Sequence, residues 1–144
     1  MVGYTVEQLN EEEVVLWANP TVPFIGRIDY RAMISRYSEA SDEGYDSLFA
    51  YYDLNEYIYF NETPLNFELD RFMSRRLVDS VQVVNTGCFI VDRPTMSKRK
   101  TMFGARPYRF KLSKLSAMEI REVQDYVLAN HLIAYHFTHQ ELGL

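Results

Sequence analysis

Leu65, Leu69, Phe72, Met73 and Leu77 recur at helical spacing, with Asp70, Arg71, Arg75 and Arg76 between them. One apolar stripe with a period near 3.6 predicts an amphipathic helix over residues 64–79. Thr63 reads as its N-cap. Pro64 suits the first helical position, where its missing N–H would have no intrahelical partner. From Ser80 the pattern changes to β-rich runs, 80–85 and 88–92, on either side of Asn85-Thr86-Gly87. Gly87 can take the positive φ of a tight loop, so a hairpin is predicted over 80–92. Arg93-Pro94 ends its second strand, because proline cannot donate to a ladder. Residues 108–112, Tyr-Arg-Phe-Lys-Leu, alternate apolar with charged and predict a strand with one wet face.

The flanking elements follow from the same reading. Thr5 and Gln8 have capping-box spacing and open a helix predicted over 5–18, with Val14-Val15-Leu16-Trp17 as its apolar residues. Asn10 followed by Glu11, Glu12 and Glu13 offers an alternative start, and Asn19-Pro20 stops the helix. A second helix is predicted over 28–37, with Met33, Ile34 and Tyr37 on one face. Residues 45–54 fit a short helix, through Leu48, Phe49, Tyr52 and Leu54. Residues 56–61 read as a strand that could join the sheet. A long helix is predicted over 116–139, capped by Ser113 or Ser116 and followed by Gly143 as C-cap. Ile120, Val123, Val127, Ala134 and Phe137 are its buried contacts, with Tyr126, Asn130 and Ile133 beside them.

The fold class is therefore α+β. A small, mostly antiparallel sheet (hairpin 80–92, strand 108–112 and the candidate 56–61) is packed by helices 5–18, 28–37, 64–79 and 116–139. No internal repeat or low-complexity linker divides the chain, so a single domain over 1–144 is expected.

Composition narrows the class. Apolar residues make up 47% and aromatics 15%, which excludes a disordered chain. Eleven tyrosines stand out, because tyrosine suits interface cores as well as interiors. The single cysteine, Cys88, rules out an internal disulfide and suggests a reducing compartment. Met1 to Tyr4 lacks the basic and apolar regions of a signal peptide, and no apolar run reaches the length of a membrane span. The expectation is a cytoplasmic protein without a membrane partner, in host cytoplasm or virion if the chain is viral.

Charge changes the picture most. From Arg93 to Met118 there are eight basic residues and no acidic one. The remaining seven bases face all twenty acids, and the first 62 residues carry twelve acids against Arg27, Arg31 and Arg36. Opposite patches on one chain suit association of its copies, or docking on an acidic partner. The candidate binding residues are Lys98, Arg99, Lys100, Phe103, Arg106, Tyr108, Arg109 and Lys111. The leading expectation is a non-enzymatic interaction protein or structural subunit of a larger assembly, viral assemblies included. It would use residues 93–114 against an acidic surface of a protein partner or another copy. The alternative is a nucleic-acid-binding accessory protein, with the cations tracking phosphates and Phe103, Tyr108 and Phe110 stacking on bases. A small enzyme or metal-binding protein comes third.

Little in the sequence supports chemistry. His136 and His139 share a helix face but His131 does not align with His136, and the i, i+4 pair and glutamate of a helical zinc motif are missing. Cys88 lies among Phe89, Ile90 and Val91, the setting of a small buried residue rather than a nucleophile. Phe103-Gly104-Ala105-Arg106-Pro107 has one glycine and no following helix, unlike a phosphate loop. No catalytic residue and no cofactor is assigned.

Overall fold

The computed structural model describes residues 2–10, 13–71 and 73–142. Phe72, read above as part of a helical stripe, lies outside them, as do Glu11, Glu12 and the cap residue Gly143. The class is α+β. A four-stranded sheet has the order β1-β5-β2-β6, and a two-stranded ribbon, β3-β4, stands apart from it.

The chain opens with a short helix, α1 (Val2–Glu7), and not the predicted helix over 5–18. Val14–Ala18 is an edge strand, β1, antiparallel to β5 (Val81–Asp92) with Val14 opposite Asp92 and Ala18 opposite Cys88. Its apolar run is β-branched and aromatic, which suits a pleated half-buried surface better than a helix. Val14 and Leu16 are exposed while Val15 and Trp17 pack inward. Helix α2 (Arg27–Asp42) runs five residues beyond the predicted end and buries Met33 and Ala40. Residues 45–54, favoured as a helix, instead form β2 (Ser47–Leu54), whose first four residues are buried. Such a run buried on both faces carries no period to tell strand from helix.

The largest departure is residues 64–79. No helix forms. β3 (Tyr59–Phe60) pairs with β4 (Thr63–Pro64) as a ribbon, and a 3-10 turn covers Arg75–Leu77. Leu65, Leu69 and Leu77, the intended buried stripe, are 56%, 71% and 69% exposed. A helix takes most of its stability from tertiary packing of its apolar face, and here Leu65, Leu69 and Leu77 stay exposed. Asn66 organises the segment instead. Its Nδ2 donates to the carbonyls of Glu56 and Asp79, and its Oδ1 accepts from Ile58 N. The ribbon does not join the main sheet.

The predicted hairpin over 80–92 is one continuous strand. β5 pairs with β2 through Leu54–Val81 to Ala50–Asn85, and resumes at Phe49–Phe89. Residues 86–88 bulge out of this ladder without reversing the chain. Asn85 Oδ1 accepts from Gly87 N at 3.0 Å inside the bulge, so the residues that signalled a turn make a bulge. A Cβ at Gly87 would come within 2.8 Å of the Val22 side chain, so glycine lets the 22–25 connector close over the strand.

Arg93 does end the strand. Asp92 then caps a helix, α3 (Arg93–Arg99), accepting from Thr95 N at 2.6 Å, with Pro94 in the first turn. Lys100 ends it in the left-handed conformation, φ 54°. β6 (Pro107–Lys111) appears where alternation predicted it, but pairs parallel to β2, from Ser47–Pro107 to Tyr51–Lys111. The sheet is therefore mixed: two of its three pairings are antiparallel, as expected, and the β2–β6 pairing is parallel.

α4 (Val123–Leu142) begins seven residues later than predicted. Ser113 and Ser116 close a turn rather than a helix cap, with Ser116 N donating to Ser113 Oγ at 2.9 Å. Asp125 Oδ2 accepts from the backbone N–H of Arg121 and Glu122, and these two bonds hold its carboxyl below the ordinary value. The helix is also rotated from its expected setting. Ala129 and His136 are buried, whereas Val123 and Val127 are 76% and 51% exposed and Ala134 lies outside as well.

Two clusters fill the two faces of the sheet. Leu48, Ala50, Cys88 and Ile90 meet Met33 of α2, Val22 and Ile25, with Tyr108 and Phe110 at the margin. Val91 meets Val6 of α1 and Met96 of α3 on the other.

Candidate interaction surfaces

The basic segment is not one surface. Lys98, Arg99 and Lys100 are exposed at the end of α3, and Arg99 Nε donates to the Phe103 carbonyl at 3.0 Å. Phe103 is packed edge-on against Phe49 and Phe89, at centroid distances of 5.4 and 5.1 Å. Its ring is half-buried against these two. Tyr108 lies edge-on to Tyr45, and the Arg36 guanidinium sits 4.4 Å over its ring. Phe110 packs on the core. All three aromatics are half-buried and packed within the chain.

The remaining cations are engaged within the chain. Arg106 lies 4.5 Å over the Tyr45 ring and donates to the Glu43 carbonyl. Arg109 donates to Gln82 Oε1 at 2.7 Å. Lys111 pairs with Asp53 at 2.5 Å, and that hydrogen bond followed by the charge raises its ammonium pKa. Arg109 and Lys111 alternate along edge strand β6, where charge protects an open ladder. Asp46 organises the start of this strand: its carboxylate accepts from Ala105 N and Arg106 N. The structure thus keeps Lys98, Arg99 and Lys100 together and disperses the other candidates.

A second surface was hidden by the helix rotation. Val123, Tyr126, Val127, Leu128 and Tyr135 of α4 are 50–76% exposed. Among the described side chains of this helix, the other exposed ones are Gln124, Asn130, His131, Ala134 and Thr138, none of which carries a fixed charge. On α2, by contrast, Arg27, Arg31, Glu39 and Asp42 are exposed around Ile28 and Ile34. α4 is apolar on both sides, the pattern of a helix with partners all round. A groove of about 510 Å³ along its flank, between Tyr52, Leu115, Met118, Leu128 and Leu132, continues the apolar surface. The sequence signal was present, since 123–142 contains neither lysine nor arginine.

The histidines divide. His131 is exposed on the outer side of α4, while His136 and His139 line a cavity with Asp29. No group of three or more histidine, cysteine or acidic side chains among the described residues is placed to hold a metal ion. Burial pushes the Cys88 thiol up to about 12, so it is no nucleophile. Among the described residues no helix is long and apolar enough to cross a membrane. No protein-family model matches the chain, and no curated protein aligns with it.

Proposed function

We propose that the protein is a non-enzymatic interaction subunit that joins a second copy of itself through the outer face of α4. The observation that carries this reading is the apolar exposed side of α4, uncharged among its described side chains. Contiguous exposed apolar surface of this kind marks interaction sites. The five large side chains expose on the order of 500 Å², given roughly 200 Å² for a whole aromatic. The flanking small and amide side chains bring the patch toward the roughly 800 Å² that each partner buries in a standard interface.

Charge selects the occupant. The chain carries −5, so most of its surface repels another copy. Among its described side chains the exposed side of α4 adds no like charges when two copies meet there, as a two-fold contact requires. Lys98, Arg99 and Lys100 supply a separate contact for an acidic neighbour in a larger assembly.

Light scattering from 1 µM to 1 mM tests the proposal. A dimer is expected, with Val127→Glu weakening it at least tenfold. A wild-type protein that stays monomeric across the range overturns it.

A further inference from the structure

We infer that the cavity between the start of α2 and the end of α4 binds a small organic cation, an alkylammonium or guanidinium group. This site shares Tyr135 with the α4 contact but rests on other residues, Asp29, His136 and His139. The cavity is about 450 Å³ and is lined by Asp29, Ser113, Ser116, His136, His139 and Gln140. That volume is within the range of small-molecule sites, roughly 300–1,000 Å³.

The hydrogen bonds fix what these side chains can still offer. His136 Nε2 lies 2.8 Å from the Phe24 carbonyl. A carbonyl only accepts, so Nε2 carries the proton and neutral His136 presents Nδ1 as an acceptor. His139 Nδ1 lies 2.8 Å from the Tyr135 carbonyl, so by the same argument its Nε2 is the acceptor. His136 is only 8% exposed, yet among the described residues no buried side-chain nitrogen or oxygen lacks a partner. With no protein donor to it, His136 Nδ1 must reach open space, and the open space beside this ring is the cavity.

Asp29 supplies the charge. Its Oδ2 accepts from Gly26 N at 3.0 Å and from Gln140 Nε2 at 2.6 Å. Among the described residues no lysine, arginine or histidine pairs with it, and Oδ1 has no protein donor. The serines are largely turned on one another, with Oγ atoms 2.9 Å apart.

The cavity therefore gathers one carboxylate and two imidazole lone pairs with no fixed positive charge. The free donors at its wall, the Ser116 hydroxyl and the second N–H of Gln140, are neutral, so the carboxylate and the two lone pairs set the preference for a cation rich in N–H. Tyr135 also lines the cavity and stacks on His139 at 3.8 Å, adding an aromatic ring where a cation gains further attraction. The absence of a three-ligand metal cluster among the described residues favours an organic cation over a metal ion.

The probe is 1,4-diaminobutane, with sodium butyrate as the anionic control, followed by imidazole ¹⁵N resonances at pH 8. Saturable shifts of His136 and His139 with the diamine alone are expected. Asp29→Asn and His139→Ala should each weaken binding at least tenfold. His139→Ala leaves the Asp29–Gly26 bond intact and decides the matter if Asp29→Asn fails to fold. Absence of wild-type shifts overturns the proposal, as does an equal response to butyrate. Undiminished binding in His139→Ala, or zinc displacing the diamine at lower concentration, overturns it too.

Discussion

Asn85 Nδ2 donates to the Ala117 carbonyl at 2.8 Å, joining the bulge of β5 to the turn before α4. Both residues are buried, and Asn85 Oδ1 also holds Gly87 N. Asn85→Ala would leave a carbonyl and an N–H buried without partners, at roughly 1–3 kcal/mol each. Urea unfolding should show a loss of about 3 kcal/mol, among the larger single-residue effects in this chain.

Gly104 is buried with its N–H on Ser47 Oγ at 2.9 Å. A Cβ there would collide with the Asp46 carboxylate and come within 2.6 Å of Ser47 Oγ. Gly104→Ala must displace the two side chains that anchor the start of β6. A cost of about 2 kcal/mol is expected from the overpacking, read by thermal or urea unfolding.

Asp46 gives the acid limb of stability a local source. Burial pushes its carboxyl up, but the N–H groups of Ala105 and Arg106 and the Ser47 hydroxyl together outweigh it and hold the folded value below 3.8. A carboxyl depressed by folding contributes stability above its unfolded pKa and loses it as pH falls through the folded value. Wild-type Tm should therefore drop on acidification below about pH 4. The Asp46→Asn variant should start lower at neutral pH and fall less across the same window.

Cys88 should be inert in the folded state. Its thiol is fully buried and raised to about 12 by burial, so almost no thiolate exists at neutral pH. A thiol reagent should label it only through unfolding, with a rate that follows the unfolded fraction in urea.

Neutralising Lys98, Arg99 and Lys100 together should change folding stability by less than about 1 kcal/mol. All three are exposed, and Arg99 alone makes a bond, to a backbone carbonyl. Loss of an acidic partner in that variant would report on contact and not on folding. If the alternative of nucleic-acid binding holds, affinity should fall similarly for all sequences, with a shallower salt slope.

Local pattern revealed the elements that one face decides. The alternation of Tyr108 to Lys111 gave β6, and Met33 with Tyr37 gave α2. It failed where tertiary context decided. Leu65, Leu69 and Leu77 had helical spacing but stay exposed. Asn85 and Gly87 are turn residues that here form a bulge, because β2 and the 22–25 connector pack around them. The spacing on α4 could not say which side faced inward, since both sides are apolar. The basic segment was legible as charge, but its engagement by Asp53, Gln82 and Tyr45 was not. The cavity was invisible for the same reason, as its closing bond joins Asp29 to Gln140, 111 residues away.

The strand order β1-β5-β2-β6 has a consequence for how the chain is made. No two touching strands of this sheet are joined by a short turn; even β2 and β5 are separated by residues 55–80, so no tight hairpin can seed it. The first ladder of this sheet must wait until β5 leaves the ribosome. Until then β1 and β2 have no mate in this sheet. Folding should therefore be slow for the length, as non-local pairing dictates. Nascent chains halted before Asp92 should stay sensitive to protease, and those extended past Lys111 should not.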